Sequence, residues 1–408
     1  LAPAIRHARQ GFAVGDRYLA ALRLREKAIL ASPASRAIFH PGAELPVRGD
    51  RLVQPDLART LEQLAERGFD GFYRGDTAQK LVGGVRAAGG IWTEADLEAY
   101  RVVEREPLRG SYRGIRLTTA APPSAGGVGL IEMLNILAAY DLNALPGVTQ
   151  KHLMVEAMRR AYHDREDYLG DPDQVSMPLL RLLSPNYAAG LRTTLRLDQA
   201  LPSAHFSPAR PVEADGANTS HYSILDREGN RVAATLSINY SFGSGFMAPG
   251  TGVLLNDEMD DFATRPGTAN IYGLVGGEAN AIAPGKRMLS SMTPSFVETD
   301  KAVGLMGTPG GSRIVSMLLL AVLDFAAGHG PDAWVRLPRF HHQYLPDVIE
   351  YEPNAFTPED IVRLRQLGHS LKQTPLPYGD FHAVLWHLET GQVEAASDPR
   401  GEGMARVR

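Results

Sequence analysis

The hydrophobic period of this chain turns from helical to alternating near residue 205, and that change limits the architecture more than any single motif does. Before it, apolar residues recur at helical spacing. Asp56–Glu66 puts Leu57, Leu61 and Leu64 on one stripe and stops at Gly68, and Thr93 stands as an N-cap ahead of Glu94 and Asp96. Leu130–Tyr140 reads as a buried helix, and Lys151–Leu169 turns Leu153, Ala157, Ala161 and Tyr162 inward. After the change the pattern alternates. Ser220–Leu225 and Arg231–Ile238 flank Asp226–Asn230 as a predicted β-hairpin. Gly252–Asn256, Ser295–Thr299 and Ala302–Met306 read as further strands, and Phe381–Leu388 with Gln392–Ala396 as a closing hairpin. Ile314–Ala327 and Pro358–Leu367 return to helical spacing. Helices and strands sharing one core give a layered α+β fold. Between the two regimes, Arg192–Asn218 is polar, holds Pro202, Pro208 and Pro211, and reads as a surface linker.

Charge and cysteine content narrow the chemistry. The formal net charge is −4 with Lys and Arg scattered along 408 residues, which supports neither a nucleic-acid surface nor a polybasic membrane patch. Having no cysteine removes disulfides, thiolate catalysis and cysteine-ligated zinc, and leaves the compartment open. The most apolar run, Ile314–Leu323, is about ten residues, against the roughly 18 a membrane-spanning helix needs. The first residues, LAPAIRHARQGF, have the pattern of the interior of an amphipathic helix, so a segment upstream is expected.

One stretch carries a possible nucleophile. Thr219 lies where the linker ends and a strand begins. A threonine hydroxyl needs a base, and the most economical one is its own α-amino group, of pKa about 7.7–8.0, once the chain is cut before it. A threonine opening a strand is also ordinary structure, and the bare motif does not separate the two readings.

The ordered motifs do separate them. Asn218-Thr-Ser-His-Tyr-Ser223, Asn256-Asp-Glu-Met-Asp-Asp-Phe262, Tyr272-Gly-Leu-Val-Gly-Gly277, Leu289-Ser-Ser-Met292, Gly307-Thr-Pro-Gly-Gly-Ser-Arg313, Pro338-Arg-Phe-His-His-Gln343 and Ser397-Asp-Pro-Arg400 closely resemble the small subunit of γ-glutamyltransferases. Upstream, Pro122-Pro-Ser-Ala-Gly-Gly127, Glu156-Ala-Met-Arg-Arg-Ala-Tyr-His-Asp-Arg165 and Tyr168-Leu-Gly-Asp-Pro172 resemble the large subunit. The resemblance runs from residue 1 to the C-terminus. It implies a four-layer αββα sandwich of the N-terminal-nucleophile hydrolase type. It also implies a precursor divided into residues 1–218, the C-terminal part of the large subunit, and 219–408, the small subunit.

Carried over position by position, the resemblance makes Thr219 the nucleophile of both self-cleavage and acyl transfer. Ser237 stands where the family usually has threonine, as a second hydroxyl at the new terminus; read alone it is an ordinary strand serine. Asn239, Glu258 and Asp261 match positions holding the donor's α-ammonium, a group with three donors and no acceptor. Read alone, the acidic run is a solvated turn. Ser290 and Ser291 match residues binding the donor α-carboxylate, or are simple turn residues. Gly310 and Gly311 match the N–H pair that holds the tetrahedral oxyanion, an interaction worth about 3–4 kcal/mol, and also suit a tight turn. Pro266–Arg287 resembles a lid over the glutamyl pocket with Tyr272 as its wall, which points to small donors such as glutathione.

The implied reaction needs no metal or organic cofactor. Its partners are a small γ-glutamyl donor and water, an amino acid or a dipeptide as acceptor, and the implied home is periplasmic or secreted. The family's large subunit is longer and carries upstream an arginine that pairs with the donor carboxylate; residue 1 here matches an internal helix. Alternatives are a glutaryl or cephalosporin-type acylase, a poly-γ-glutamate depolymerase, or an inactive glutamate-binding relative. Other signals fail on spacing: Pro284-Gly-Lys-Arg287 is not a phosphate loop, Phe242-Gly-Ser-Gly245 is not a nucleophile elbow, and the adjacent His341 and His342 diverge too far to share a metal.

Overall fold

A computed structural model describes residues 1–206, 219–270 and 272–408. Asn218, the bond before Thr219, and residues 207–217 of the expected linker lie outside the described residues. Two compact units form, Leu1–Glu104 with Ile238–Glu258, and Arg105–Ser237 with Met259–Arg408.

The first unit is helical. It holds helices Ala2–Gln10, Asp16–Ala31, Pro33–Phe39, Pro55–Arg67 and Gly75–Ala87, and the second and third of these bring Leu19, Leu22, Ile29 and Phe39 into a small core with Leu52 and Met247. The helix expected from residue 56 forms and ends at Gly68, whose φ of 57° suits glycine. Leu57, Leu61 and Leu64 are only half-buried on it, while Ala58 and Thr60 are the buried positions. On that inward face the Thr60 hydroxyl donates to the Thr251 carbonyl at 2.6 Å. Thr93 caps its short helix through a reciprocal box with Asp96. The strand expected at 252–256 reduces to a single bridge, Met247 to Leu254. Left-handed residues at Asn239, Phe242, Gly243 and Gly245 curl this segment, and side chains such as Arg25, which donates to the Ser241 and Gly243 carbonyls, take up its backbone groups.

The second unit is built on a six-stranded antiparallel sheet. Its strands are β1 (Leu108–Tyr112), β2 (Ile115–Thr119), β5 (Ser295–Glu298), β6 (Ala302–Gly307), β7 (His382–His387) and β8 (Val393–Ser397). They lie in the order β8-β7-β6-β5-β2-β1. The hairpin of β3 (Thr219–Leu225) and β4 (Arg231–Ser237) forms a separate two-stranded sheet. Side-chain alternation assigns the two faces. Val303, Leu305 and Val384 pack with Leu225 of the hairpin, whereas Leu117, Val297, Met306, Ala383 and Leu385 face the main core. That core also takes in helices α1 (Gly126–Leu137), α2 (Gly147–Tyr168) and α3 (Ile314–Ala326); α1 and α3 are apolar nearly all round because sheet and neighbouring helices cover them, whereas α2 buries His152, Glu156, Arg159 and Arg160 beside its apolar residues. Each fully buried leucine there contributes roughly 1.5–3 kcal/mol.

Helix, sheet and hairpin layers make this an α+β protein, as expected. The β1–β2 hairpin was not anticipated. Among the described residues no helix is long and apolar enough to cross a membrane.

Candidate active site

The predicted hairpin places Thr219 and Ser237 opposite one another, and the Thr219 hydroxyl donates to Ser237 Oγ at 3.2 Å. Thr219 is 9% exposed. Period-2 alternation sends Thr219, His221 and Ser223 to the same side of β3. His221 Nδ1 lies 2.9 Å from Thr235 Oγ1, and Nε2 lies 3.1 Å from Ser223 Oγ. Burial, with His382 nearby, lowers the His221 pKa to about 3. An imidazole that stays neutral at so low a pH is a poor base for a hydroxyl two residues away.

The hairpin lies flat on the sheet because β6 ends in glycine. A Cβ on Gly307 would come within 2.2 Å of the His221 ring. Leu225 packs near Val303 and Leu305 while His221 covers Gly307, so β3 runs antiparallel to β6. Thr219, about 7 Å further along its strand, thus lies toward the turn that follows β6. That turn is Thr308-Pro-Gly-Gly311, with Gly310 at φ 149° and Gly311 at φ 55°, leading into the 3₁₀ turn Gly311–Arg313. Arg313 N–H donates to the Gly310 carbonyl. Among the described residues no acceptor takes the N–H of Gly310 or Gly311, the state an oxyanion site requires.

Tyr272 belongs to the same neighbourhood. Its ring is buried, and a Cβ on Gly311 would come within 2.5 Å of it. Residues 266–276 form a tight loop closed by Gly267 N–H to the Gly276 carbonyl and by Asn270 N–H to the Leu274 carbonyl; Ile271 lies outside the described residues. Asn270 organises the tip, accepting from the Tyr272 and Leu274 N–H groups, and donates to Asp261 Oδ1 at 2.9 Å. Asn280 donates to the Asp261 carbonyl and accepts from the Leu289 N–H. It thereby joins the Asp261 segment to the Ser290–Ser291 segment. Arg165 of α2 is buried, which lowers its pKa, while the charge of Asp261 opposes that shift.

Ser290 and Ser291 lie against the start of α1. Ser290 N–H donates to the Pro123 carbonyl and Ala125 N–H to the Ser290 carbonyl, while the Ser124 hydroxyl donates to the Met292 carbonyl. This explains the motif at residues 122–127, which the sequence flagged without a role. Asn239 and Glu258 are described in the first unit. Asn239 is buried with φ 68° and donates to the Asp257 carbonyl at 3.1 Å, and Glu258 N–H donates to Asn256 Oδ1. His341 and His342 do turn to different partners, Gln343 with Ser316 and Asp347 with the Tyr344 N–H. Sequence reading missed Asn270, Asn280 and Arg165 as members of the site. Only Arg165 carried a signal, through its place in a recognised motif.

A family model described as gamma-glutamyltranspeptidase matches residues 1–407. The glutathione hydrolase proenzyme of Pseudomonas sp. (strain A14) is 45% identical over 355 residues, covering 86% of this chain and 61% of that protein. The glutathione hydrolase proenzyme of Escherichia coli (strain K12) is 39% identical over 405 residues, covering 98% of this chain and 69% of that protein. Among solved structures, cephalosporin acylase from Bacillus halodurans matches with a TM-score of 0.85 at 26% identity, covering 99% of this chain and 73% of that one.

Proposed function

The chain belongs to the γ-glutamyltranspeptidase family, and we propose that it is a self-processing γ-glutamyl hydrolase and transpeptidase that uses Thr219 as nucleophile. The observation that carries this reading is the hydroxyl pair, Thr219 Oγ1 at 3.2 Å from Ser237 Oγ, at the head of a strand whose first residue lies toward the Gly310–Gly311 turn. In the precursor, Thr219 Oγ attacks the Asn218 carbonyl, the peptide shifts from nitrogen to oxygen, and water hydrolyses the ester. This frees the Thr219 amine and a carboxylate on Asn218.

In the mature protein the Thr219 amine takes the proton of its own hydroxyl as Oγ attacks the donor γ-carbonyl. The oxyanion rests on the N–H groups of Gly310 and Gly311. Collapse returns the proton to the departing amine and leaves a γ-glutamyl ester on Thr219. Water then releases glutamate, while an amino acid or dipeptide gives a new γ-glutamyl amide. Asp261, held by Asn270, is the proposed carboxylate partner of the donor ammonium. Asn239 and Glu258 carry the same role on the strength of their motifs. Ser290 and Ser291 take the donor carboxylate, helped by the positive end of α1 beside them. A periplasmic or secreted location accompanies this reading.

The chain spans 61% and 69% of the two curated relatives above, so activity is tested on the protein as it stands. The purified chain should run as two fragments on a denaturing gel, the smaller beginning at Thr219. Thr219→Ala should give one fragment and lower turnover of γ-glutamyl-p-nitroanilide by on the order of 10³-fold or more. The fold it shares with a cephalosporin acylase favours a second reading. Turnover of glutaryl-p-nitroanilide in preference to the γ-glutamyl compound would establish that one instead.

A further inference from the structure

Two parts of the proposed chemistry, the Tyr272 wall and the oxyanion turn, come from segments some distance apart in the chain, and one side chain touches both. Gln343 follows the short strand Phe340–His341 and is 9% exposed. Its Nε2 donates to the Tyr272 carbonyl at 2.9 Å and to the Leu345 carbonyl at 3.3 Å. Its Oε1 accepts from Ser312 Oγ at 2.7 Å and from His341 Nε2 at 2.9 Å. A primary amide has two N–H bonds and one doubly accepting oxygen, so all four capacities are used. The amide orientation is determined, since the flipped form would set its oxygen against two carbonyl oxygens.

The tautomer of His341 follows. Nε2 must carry the proton it gives to Gln343, leaving Nδ1 unprotonated 2.9 Å from the Ser316 hydroxyl, whose one proton the Arg313 carbonyl also faces at 2.9 Å. Burial, then the charge of Arg313, lowers the His341 pKa to about 4, so this neutral donor persists through the working range. Ser312 directly follows Gly311 and is pinned on its other side, where the Tyr162 hydroxyl donates to its carbonyl. A shift of Gln343 therefore moves the residue next to the oxyanion turn and releases the carbonyl of the residue that roofs it.

We propose that Gln343 is a positioning residue that latches the lid to the oxyanion turn, fixing Tyr272 over Gly311 while holding Ser312 in the register that presents the two N–H groups. The catalytic part of this rests on the function proposed above; the latch itself does not. Neither the family match nor the site roles assign Gln343 a part in the reaction.

The test uses Gln343→Leu, the isosteric Gln343→Glu and Ser312→Ala in the mature protein. Kinetics on γ-glutamyl-p-nitroanilide are read together with hydrogen exchange of lid residues 266–287. Gln343→Leu should raise donor KM about tenfold, lower kcat about tenfold to a hundredfold, and speed lid exchange at least about tenfold. Gln343→Glu keeps an acceptor for Ser312 but meets two carbonyls with a carboxylate, and should do the same. Ser312→Ala breaks only the turn-side bond. It should lower kcat with near-normal KM and near-normal lid exchange. Combined with Gln343→Leu it should add less than its own single effect, because its partner is already gone. A role in folding alone would lower yield while leaving kcat and KM of the soluble protein unchanged. Normal lid exchange and normal KM in Gln343→Leu would overturn the latch. No turnover by the unaltered protein would remove the functional reading, and lid exchange would then decide the latch by itself.

Discussion

Two buried polar regions of the second unit, each marked by a specific motif, are built in opposite ways. Beneath the hairpin, Thr219, Ser237, His221, Thr235 and Ser223 form a row of hydroxyls around one neutral imidazole, with no formal charge. Around the start of the linker, Glu156, Arg159, Arg160 and Asp347 form a knot of two anions and two cations, three of them almost fully buried. In the knot the bonding is saturated. Arg159 donates to Glu156, Asp347, Ser203 and His369; His369 passes a proton-bearing nitrogen to His152, and His152 to the Arg196 carbonyl. Arg160 donates to Glu156, Leu191 and Thr194. His152, Glu156 and His369 lie close enough to hold a metal, yet each is already committed to these partners. The row keeps a nucleophile beside a second hydroxyl, whereas the knot spends its bonding on residues 191–203 and so anchors the chain leading into the linker. Reactive capacity collects where charge has been kept out.

If that contrast is right, breaking the knot should damage the fold far more than breaking the row. Arg159→Leu leaves Asp347 and Glu156 short of a cation in a buried site, and should cost about 3–5 kcal/mol of stability. The check is the urea midpoint of the folded protein. A loss below about 1 kcal/mol would mean that water reaches the knot and that its charges were never desolvated.

Ser237→Ala should do the reverse. Stability should change by about 1 kcal/mol or less, while kcat should fall about tenfold to a hundredfold, or roughly 1.4–2.7 kcal/mol of barrier. Self-cleavage should slow as well, read as the fraction of uncut chain over time. Ser237→Thr restores the family's usual residue and keeps the hydroxyl. Its activity should stay within about threefold of the unaltered protein, since the change adds only a methyl whose rotamer preference narrows the hydroxyl's range. An Ala variant with full activity would remove Ser237 from the mechanism.

The hairpin that carries the row was readable in advance and most of its supports were not, for a physical reason. Thr219, Ser237 and the hairpin between them are local: a period of two, a Gly/Asn turn and a preceding proline-bearing linker lie within some forty residues of chain. Asn270, Asn280 and Gln343 act by joining segments distant in sequence, such as Tyr272 to Ser312, and nothing in the pattern around an asparagine or glutamine announces that. The β1–β2 hairpin did leave a signal. Arg113 and Gly114 both take positive φ, at 48° and 85°, in a two-residue turn of the tight hairpin kind. The arginine and the polar flanks concealed it. Gly252–Asn256 failed in the opposite direction, because alternation there was real but the left-handed residues before it divert the backbone from a ladder. Four of the six strands in the large sheet, β5 to β8, followed from alternation; the strand order did not, since order depends on which faces the helices cover.

The smallest expected effect concerns a property the two regions share. Each holds a buried histidine with a depressed pKa of about 3: His221 in the row, through burial and then His382, and His342 beside the knot, through burial and then the charge of Arg159. Unfolded, both imidazoles would titrate near 6.5. A folded value below the unfolded one means that the unfolded chain binds protons the native chain refuses. Stability from each group is then complete above about pH 6.5 and declines as pH falls toward 3. His221→Asn removes this term from the row alone. Between pH 7.5 and 5.5 the variant should therefore lose about 1 kcal/mol less stability than the unaltered protein, whatever its absolute stability. The knot's share, carried by His342 and by His369, whose pKa burial also lowers, should persist in that variant as a remaining acid slope. Denaturant midpoints across this range measure both quantities. Parallel pH profiles for the two proteins would mean that His221 is protonated equally in both states, and the claim that the row excludes charge would not survive.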